Sequence, residues 1–354
     1  MPVYLHGLST VLPPHCLTQT EVRERASIIF GKKYPQFDRL AKTFDTAGID
    51  QRYSVVPIDW FSDDHGWEDR NKAFISGAKD MFIDAAKSAL EDAGWSAAEV
   101  DCVVTVTSTG IATPSLEAQA FGEMGFREDI MRVPIFGLGC AGGVSGLSTA
   151  RTLAAGQPDA KVLLVVVEAC SLSFRADRLQ KADIIATVLF GDGAAAACIS
   201  TKAPSNDKVV ALGQGHQKMW PDTLDIMGWD VDETGFGVVF DRSIPAFVSK
   251  EFAAATDGAL KAASLSHEKI DRYVCHPGGA KVVDAIEGAL HLEQGSLDAE
   301  RDTLRAAGNM SAPTVMFVMK AVLDAGTTGQ MMSCALGPGF TASFLPFHVS
   351  KKAA

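Results

Sequence analysis

The chain has 354 residues, 47% of them hydrophobic and 21% charged, and a formal net charge of −11. That length and apolar content can bury a large core, as one large domain or two closely joined ones. The acidic balance, without any densely basic stretch, argues against nucleic acid as the main partner, while an anionic small ligand would need only a local basic patch.

The first residues, Met1-Pro2-Val3-Tyr4-Leu5-His6, carry no basic leader and no long apolar run, so no signal peptide is expected. Residues 3–8 read as a strand, and Thr18-Gln19-Thr20-Glu21 has the form of a capping box opening a helix. Residues 32–52 are charged and read as helix followed by loop, with Arg39, Lys42 and Arg52 set among acids as on a solvated face. Residues 60–71 show no period and read as an irregular surface excursion. Residues 73–94 have helical spacing ended by Gly94, 101–107 form a buried strand, 109–114 a loop and 116–125 a helix. The apolar run 162–167 is too short to cross a membrane and reads as a buried strand, so no integral membrane segment is expected. Phe190-Gly191-Asp192-Gly193 turns into a strand of small residues, and 203–207 is the best linker. The seven cysteines form no C-x-x-C pair, which suits free thiols in a reducing cytoplasm.

The second half repeats the first. Ala89, Leu90, Ala93, Ser96, Asp101 and Val104 match Ala259, Leu260, Ala263, Ser266, Asp271 and Val274 without a gap. Gly139-Cys140 then corresponds to Gly308-Asn309, and Phe190-Gly191-Asp192-Gly193 to Leu336-Gly337-Pro338-Gly339. Two strand–helix copies, residues 1–202 and 203–354, are therefore expected about a pseudo-dyad, with a ligand site where corresponding loops converge.

Chemistry concentrates in three loops. Residues 133–148 read as strand, sharp elbow and helix, with Cys140 at the elbow and five glycines between 137 and 146. A cysteine at a helix start is favoured as thiolate by unpaired N–H groups and the helix dipole. A small buried cysteine in a packing turn is the alternative. His276 ends a strand before Pro277-Gly278-Gly279, where it could be structural or face a cavity, and no second histidine lies nearby to suggest a metal. Asn309 could equally cap a helix. Together the three suit thioester chemistry, with histidine and asparagine N–H groups converging on one oxyanion. A papain-like protease uses the same residue types, but around a different local sequence.

Gly139-Cys140-Ala141-Gly142-Gly143, Leu189-Phe190-Gly191-Asp192-Gly193, Cys275-His276-Pro277-Gly278-Gly279, Gly308-Asn309-Met310-Ser311 and Gly337-Pro338-Gly339 resemble the signature loops of type III polyketide synthases, the chalcone and stilbene synthase family. The resemblance covers nearly the whole chain in order. It implies an α/β thiolase fold of two αβαβα halves, a homodimer, and acyl-CoA and malonyl-CoA as substrates with no metal or organic cofactor. By the same resemblance Cys140 is the acyl-accepting nucleophile, held as an ion pair by His276, and His276 and Asn309 bind the malonyl thioester oxygen. Phe190 is the gatekeeper, and Gly278, Gly279 and Ser311 border the substrate. Arg39 and Lys42 fall where the family sets cations against CoA phosphates, although Thr46 replaces a third cation. Thr113 stands where the family inserts a methionine into the partner's cavity. Cys170, Ser173, Trp229, Gly337, Pro338 and Gly339 correspond to cavity-lining positions, and residues 226–231 resemble bacterial members making alkylpyrones or alkylresorcinols from fatty acyl starters. A single-round ketoacyl synthase and a non-catalytic acyl-CoA-binding scaffold are the competing expectations.

Overall fold

A computed structural model describes residues 1–351 except 32, 35, 179, 206 and 207. The expected linker thus lies partly outside the described residues, at Asn206 and Asp207. Ten strands form one continuous sheet. Its order is Arg272–Cys275, Gly329–Gly337, Thr341–Lys351, Lys208–Leu212, Val3–Val11, Asp192–Ser200, Val162–Ala169, Cys102–Thr107 and Met131–Phe136, with His216–Met219 added alongside Thr341–Lys351. The halves join where Val3–Val11 pairs antiparallel with Lys208–Leu212.

The duplication is visible in backbone hydrogen bonds. Asp101 accepts the Lys161 N–H at 2.8 Å while its own N–H donates to Lys161 O at 2.9 Å; Asp271 does the same with Gln330 at 2.7 and 2.8 Å. Each aspartate precedes a strand, Cys102–Thr107 or Arg272–Cys275, and registers it against its parallel neighbour, Val162–Ala169 or Gly329–Gly337. A short 3-10 turn, Ala97–Glu99 or His267–Lys269, precedes each.

Helices fill three layers around the two sheet halves. Trp67–Ala93 covers the outer face of the first half, burying Phe74, Ala78, Phe82, Ala85 and Ala89 at helical spacing, and Gly94 ends it at φ 66°. Ile244–Ala262 and Ala280–Ala289 cover the second half. Gly142–Gly156 and Thr314–Asp324 lie sandwiched between the sheet layers, in a core with Val106, Leu164 and Leu345. The layers run α, β, α, β, α, which is the thiolase fold. The two central helices start almost in contact: a Cβ on Gly143 would lie 2.3 Å from the Ala312 carbonyl oxygen. Only glycine permits that approach.

Three sequence expectations change. Residues 60–71 are not an excursion throughout, because a 3-10 turn at Ile58–Ser62 leads into the long helix, which already starts at Trp67. Residues 116–125 break into two short turns, Leu116–Gln119 and Phe121–Met124. Arg52 is not on a solvated face: it sits in the strand Gln51–Ser54 and is 3% exposed.

Candidate active site

The central helices bring the predicted loops together. Cys140 lies in the 3-10 turn Gly139–Ala141 that runs directly into Gly142–Gly156, so its sulfur sits at the amino end of a buried helix. Gly139 makes the elbow at φ 47°, packed against the ring of Pro338. His276 follows the strand Arg272–Cys275, and its N–H donates to Cys334 O at 2.8 Å. Asn309 follows Gly308, which stands at φ 69°. Cys140, His276, Asn309 and Gly278 line one small cavity, walled also by Met227, Phe240, Phe252 and Leu336.

The orientation of the Asn309 amide follows from its neighbours. Its Oδ1 accepts the Ser311 N–H at 2.8 Å, and its Nδ2 donates to Gly278 O at 3.1 Å. One Nδ2 hydrogen is thereby used and the other faces the Cys140 sulfur and the cavity. Both ring nitrogens of His276 are buried without a hydrogen-bond partner among the described residues. Such groups are costly to leave unsatisfied, which points to a polar guest.

Burial pushes the Cys140 thiol up to about 11, opposed by hydrogen bonds from Ser311 and Asn309. Burial also pushes His276 down to about 3. Each charge alone is thus strongly disfavoured, and an ionised sulfur needs its counter-charge and the helix start together.

Two further cavities take up other residues singled out in the sequence. One of about 1370 Å³ is lined by Leu40, Thr43, Thr46, Gly278, Gly279 and Val282, and shares Gly278, Val282 and Phe240 with the cavity of Cys140. Its cations are Lys181, Arg242 and Lys281. Arg39 and Lys42 are exposed on the flank of Phe37–Thr46 and are not among its lining residues. The other, about 500 Å³ and mostly apolar, is lined by Val22, Phe61, Cys170, Ser173, Phe174 and Phe190, among others. Phe190 is half-buried in the wall of this apolar cavity, and its backbone bridges to Asn309.

The remaining expected residues are placed as follows. Ser311 is buried beside the Cys140 sulfur. Gly337 packs on Leu138 and Ala141, behind the elbow, and Gly339 stands at φ 68° in the following turn. Trp229 donates from Nε1 to Ser108 O at 2.7 Å and meets Phe190 edge-on, so it supports the wall from behind. Thr113 is exposed, in a cis peptide with Pro114.

Glu168 escaped the sequence reading. It is fully buried and accepts from Ser108 N–H at 2.9 Å, Ser108 Oγ at 2.7 Å and Thr109 Oγ1 at 2.7 Å. Burial nevertheless raises its carboxyl to about 7, and its charge is felt at Cys140. The signal was a lone acid closing an aliphatic strand, Val162–Ala169.

Fold and site together define a thiolase-fold acyl-condensing enzyme with a buried cysteine at the start of a central helix. Family models for the N-terminal domain of chalcone and stilbene synthases match residues 3–203, and for the C-terminal domain residues 211–347. The chain is 34% identical to a putative chalcone synthase of Bacillus subtilis (strain 168), over 99% of this chain and all of that one. It is 35% identical to 1,3,6,8-tetrahydroxynaphthalene synthase of Streptomyces peucetius subsp. caesius, over 96% and 91%. The crystal structure of 1,3,6,8-tetrahydroxynaphthalene synthase from Streptomyces coelicolor A3(2) superposes with a TM-score of 0.92 at 28% identity, covering 99% of this chain and 100% of that one. The chain belongs to the chalcone and stilbene synthase family and is a type III polyketide synthase, an acyltransferase.

Proposed function

We propose that Cys140 takes an acyl group from acyl-CoA and extends it iteratively with malonyl-CoA, before ring closure to a pyrone or resorcinol-type product. The observation that carries this is the convergence of Cys140, His276 and Asn309 on one cavity beside a larger solvent-open one. The Cys140 sulfur attacks the thioester carbonyl and CoA leaves as its thiol. Malonyl-CoA then loses carbon dioxide, and the bond's electron pair becomes an enolate. Its oxygen is held by N–H groups of His276 and Asn309. The enolate carbon attacks the acyl group on Cys140, expels the sulfur and yields a chain two carbons longer. The chemistry needs no metal or organic cofactor.

Lys181, Arg242 and Lys281 make the rim of the large cavity cationic, and it suits the phosphates of CoA. The apolar cavity behind Phe190 suits a starter acyl chain, with the small Cys170 and Ser173 leaving it room. A homodimer is supported by the free sheet edge Met131–Phe136, where Met131 and Phe136 are 51% and 54% exposed, with Ile111 at 47% nearby. Thr113 lies in the adjoining loop. None of the described helices is long and apolar enough to cross a membrane, and the seven cysteines are free, which suits the cytoplasm.

The test is incubation with malonyl-CoA and starters from acetyl to long-chain acyl-CoA, read by mass spectrometry. Triketides or tetraketides that increase with starters filling the apolar cavity are expected. No polyketide with any starter would overturn the reading.

A further inference from the structure

Arg52 is a deeply buried cation that takes no part in the proposed reaction. It is 3% exposed, and among the described residues it has no carboxylate partner. Its partners are neutral oxygens. Nη1 donates to Thr187 O at 2.5 Å and to Phe190 O at 3.3 Å; Nη2 donates to Val188 O at 2.8 Å and to the Gln19 side-chain oxygen. Three of these are carbonyls at the end of the helix Lys181–Leu189, where the last carbonyls lack intrahelical partners and carry partial negative charge.

The next carbonyl of that helix end, Leu189 O, goes elsewhere. It accepts the Asn309 N–H at 2.8 Å, and Asn309 O accepts the Gly191 N–H at 3.0 Å. The Asn309 backbone is therefore clamped to the same turn that Arg52 gathers. The Arg52 stem closes the seam: a Cβ on Gly191 would lie 3.1 Å from Arg52 Cβ, and one on Gly308 3.4 Å. Gly308 is the residue before Asn309.

We infer that Arg52 is a positioning residue that sets the Asn309 amide and the Phe190 wall by fixing the carbonyls of the 187–190 turn. The inference rests on the reading of Asn309 as the enolate-oxygen donor. A lysine could supply charge at this position but not a planar fork spanning several carbonyls. Loss of the fork leaves Thr187, Val188 and Phe190 carbonyls buried and unpaired, so the turn relaxes and carries Asn309 with it. Cys140 stands on the opposite elbow, and no backbone hydrogen bond among the described residues joins it to this turn.

That asymmetry gives the test. Arg52→Lys, Gln19→Ala and Asn309→Ala are compared with wild type in two assays: acylation of Cys140 by acyl-CoA, from intact-protein mass, and decarboxylation of malonyl-CoA. Arg52→Lys is expected to lower decarboxylation about 10-fold or more while Cys140 acylation changes less than about 2-fold, a misplacement effect of the size that small displacements produce. Gln19→Ala, which loosens Arg52 without removing it, should fall in between. Equal loss of both steps in Arg52→Lys, or unchanged decarboxylation while Asn309→Ala is impaired, would overturn the inference alone. Unimpaired decarboxylation in Asn309→Ala would instead overturn the reading of Asn309 on which it rests.

Discussion

Gly143→Ala adds one methyl group where the two central helices meet. The new carbon would stand 2.3 Å from Ala312 O and 2.7 Å from Val315 Cγ1, both residues fully buried. A carbon in contact with a carbonyl oxygen sits about 3.3 Å away or more, so the helix starts must part by about 1 Å. Such overpacking costs ~1–3 kcal/mol, offset by ~1 kcal/mol from removing a glycine within a helix. The net expectation is a destabilisation of up to ~2 kcal/mol, read as a lower guanidinium midpoint. Gly156→Ala in the same helix is the control, because its Cβ would meet nothing within 4 Å. It should raise stability, by up to ~1 kcal/mol. Cys140 precedes Gly143 by three residues and Asn309 precedes Ala312 by three, so Gly143→Ala should also slow malonyl decarboxylation, by up to ~100-fold. A Gly143→Ala protein as stable as Gly156→Ala would refute the close-packed helix starts.

Glu168 gives a pH prediction. Its folded carboxyl is raised from 4.5 to about 7, so between those values the folded state keeps a proton the unfolded chain has lost. Stability therefore falls as pH rises through about 4.5 to 7, by roughly 3 kcal/mol. Glu168→Gln removes this contribution, and the unfolding free energy of the variant minus that of wild type should rise over the same window; a flat difference would contradict the burial argument. At the CoA rim, Lys281→Glu should raise the apparent KM for acyl-CoA several-fold with kcat nearly unchanged, since screened phosphate contacts are worth ~1 kcal/mol or less each. An equal rise from Lys42→Glu, with none from Lys281→Glu, would return the phosphates to the flank of Phe37–Thr46.

The three chemical loops were legible because each is local turn chemistry. A glycine elbow before a helix, a histidine closing a strand and a glycine before an asparagine are written in consecutive residues. The duplication then indicated that they converge. The lining of the large cavity was not legible, since its wall takes Leu40 and Thr43, one helical position, about 100° of rotation, from Arg39 and Lys42. Glu168 and Arg52 were missed or misread for a related reason. Each is a charge whose burial is decided by distant partners, Ser108 and Thr109 for one and the carbonyls of 187–190 for the other. A charged residue in a short strand carries no local mark of that.

The most direct test of the account is the pH dependence of Cys140 alkylation by iodoacetamide, mapped by peptide mass. Burial, even opposed by the Ser311 and Asn309 hydrogen bonds, holds this thiol near 11. If His276 and the helix start stabilise the sulfur as an ion pair, the rate should show an inflection below the ~8.5 of a free cysteine, and His276→Ala should move it upward. A wild-type profile without an inflection below about 9, or one that His276→Ala leaves in place, would contradict the pairing of Cys140 with His276.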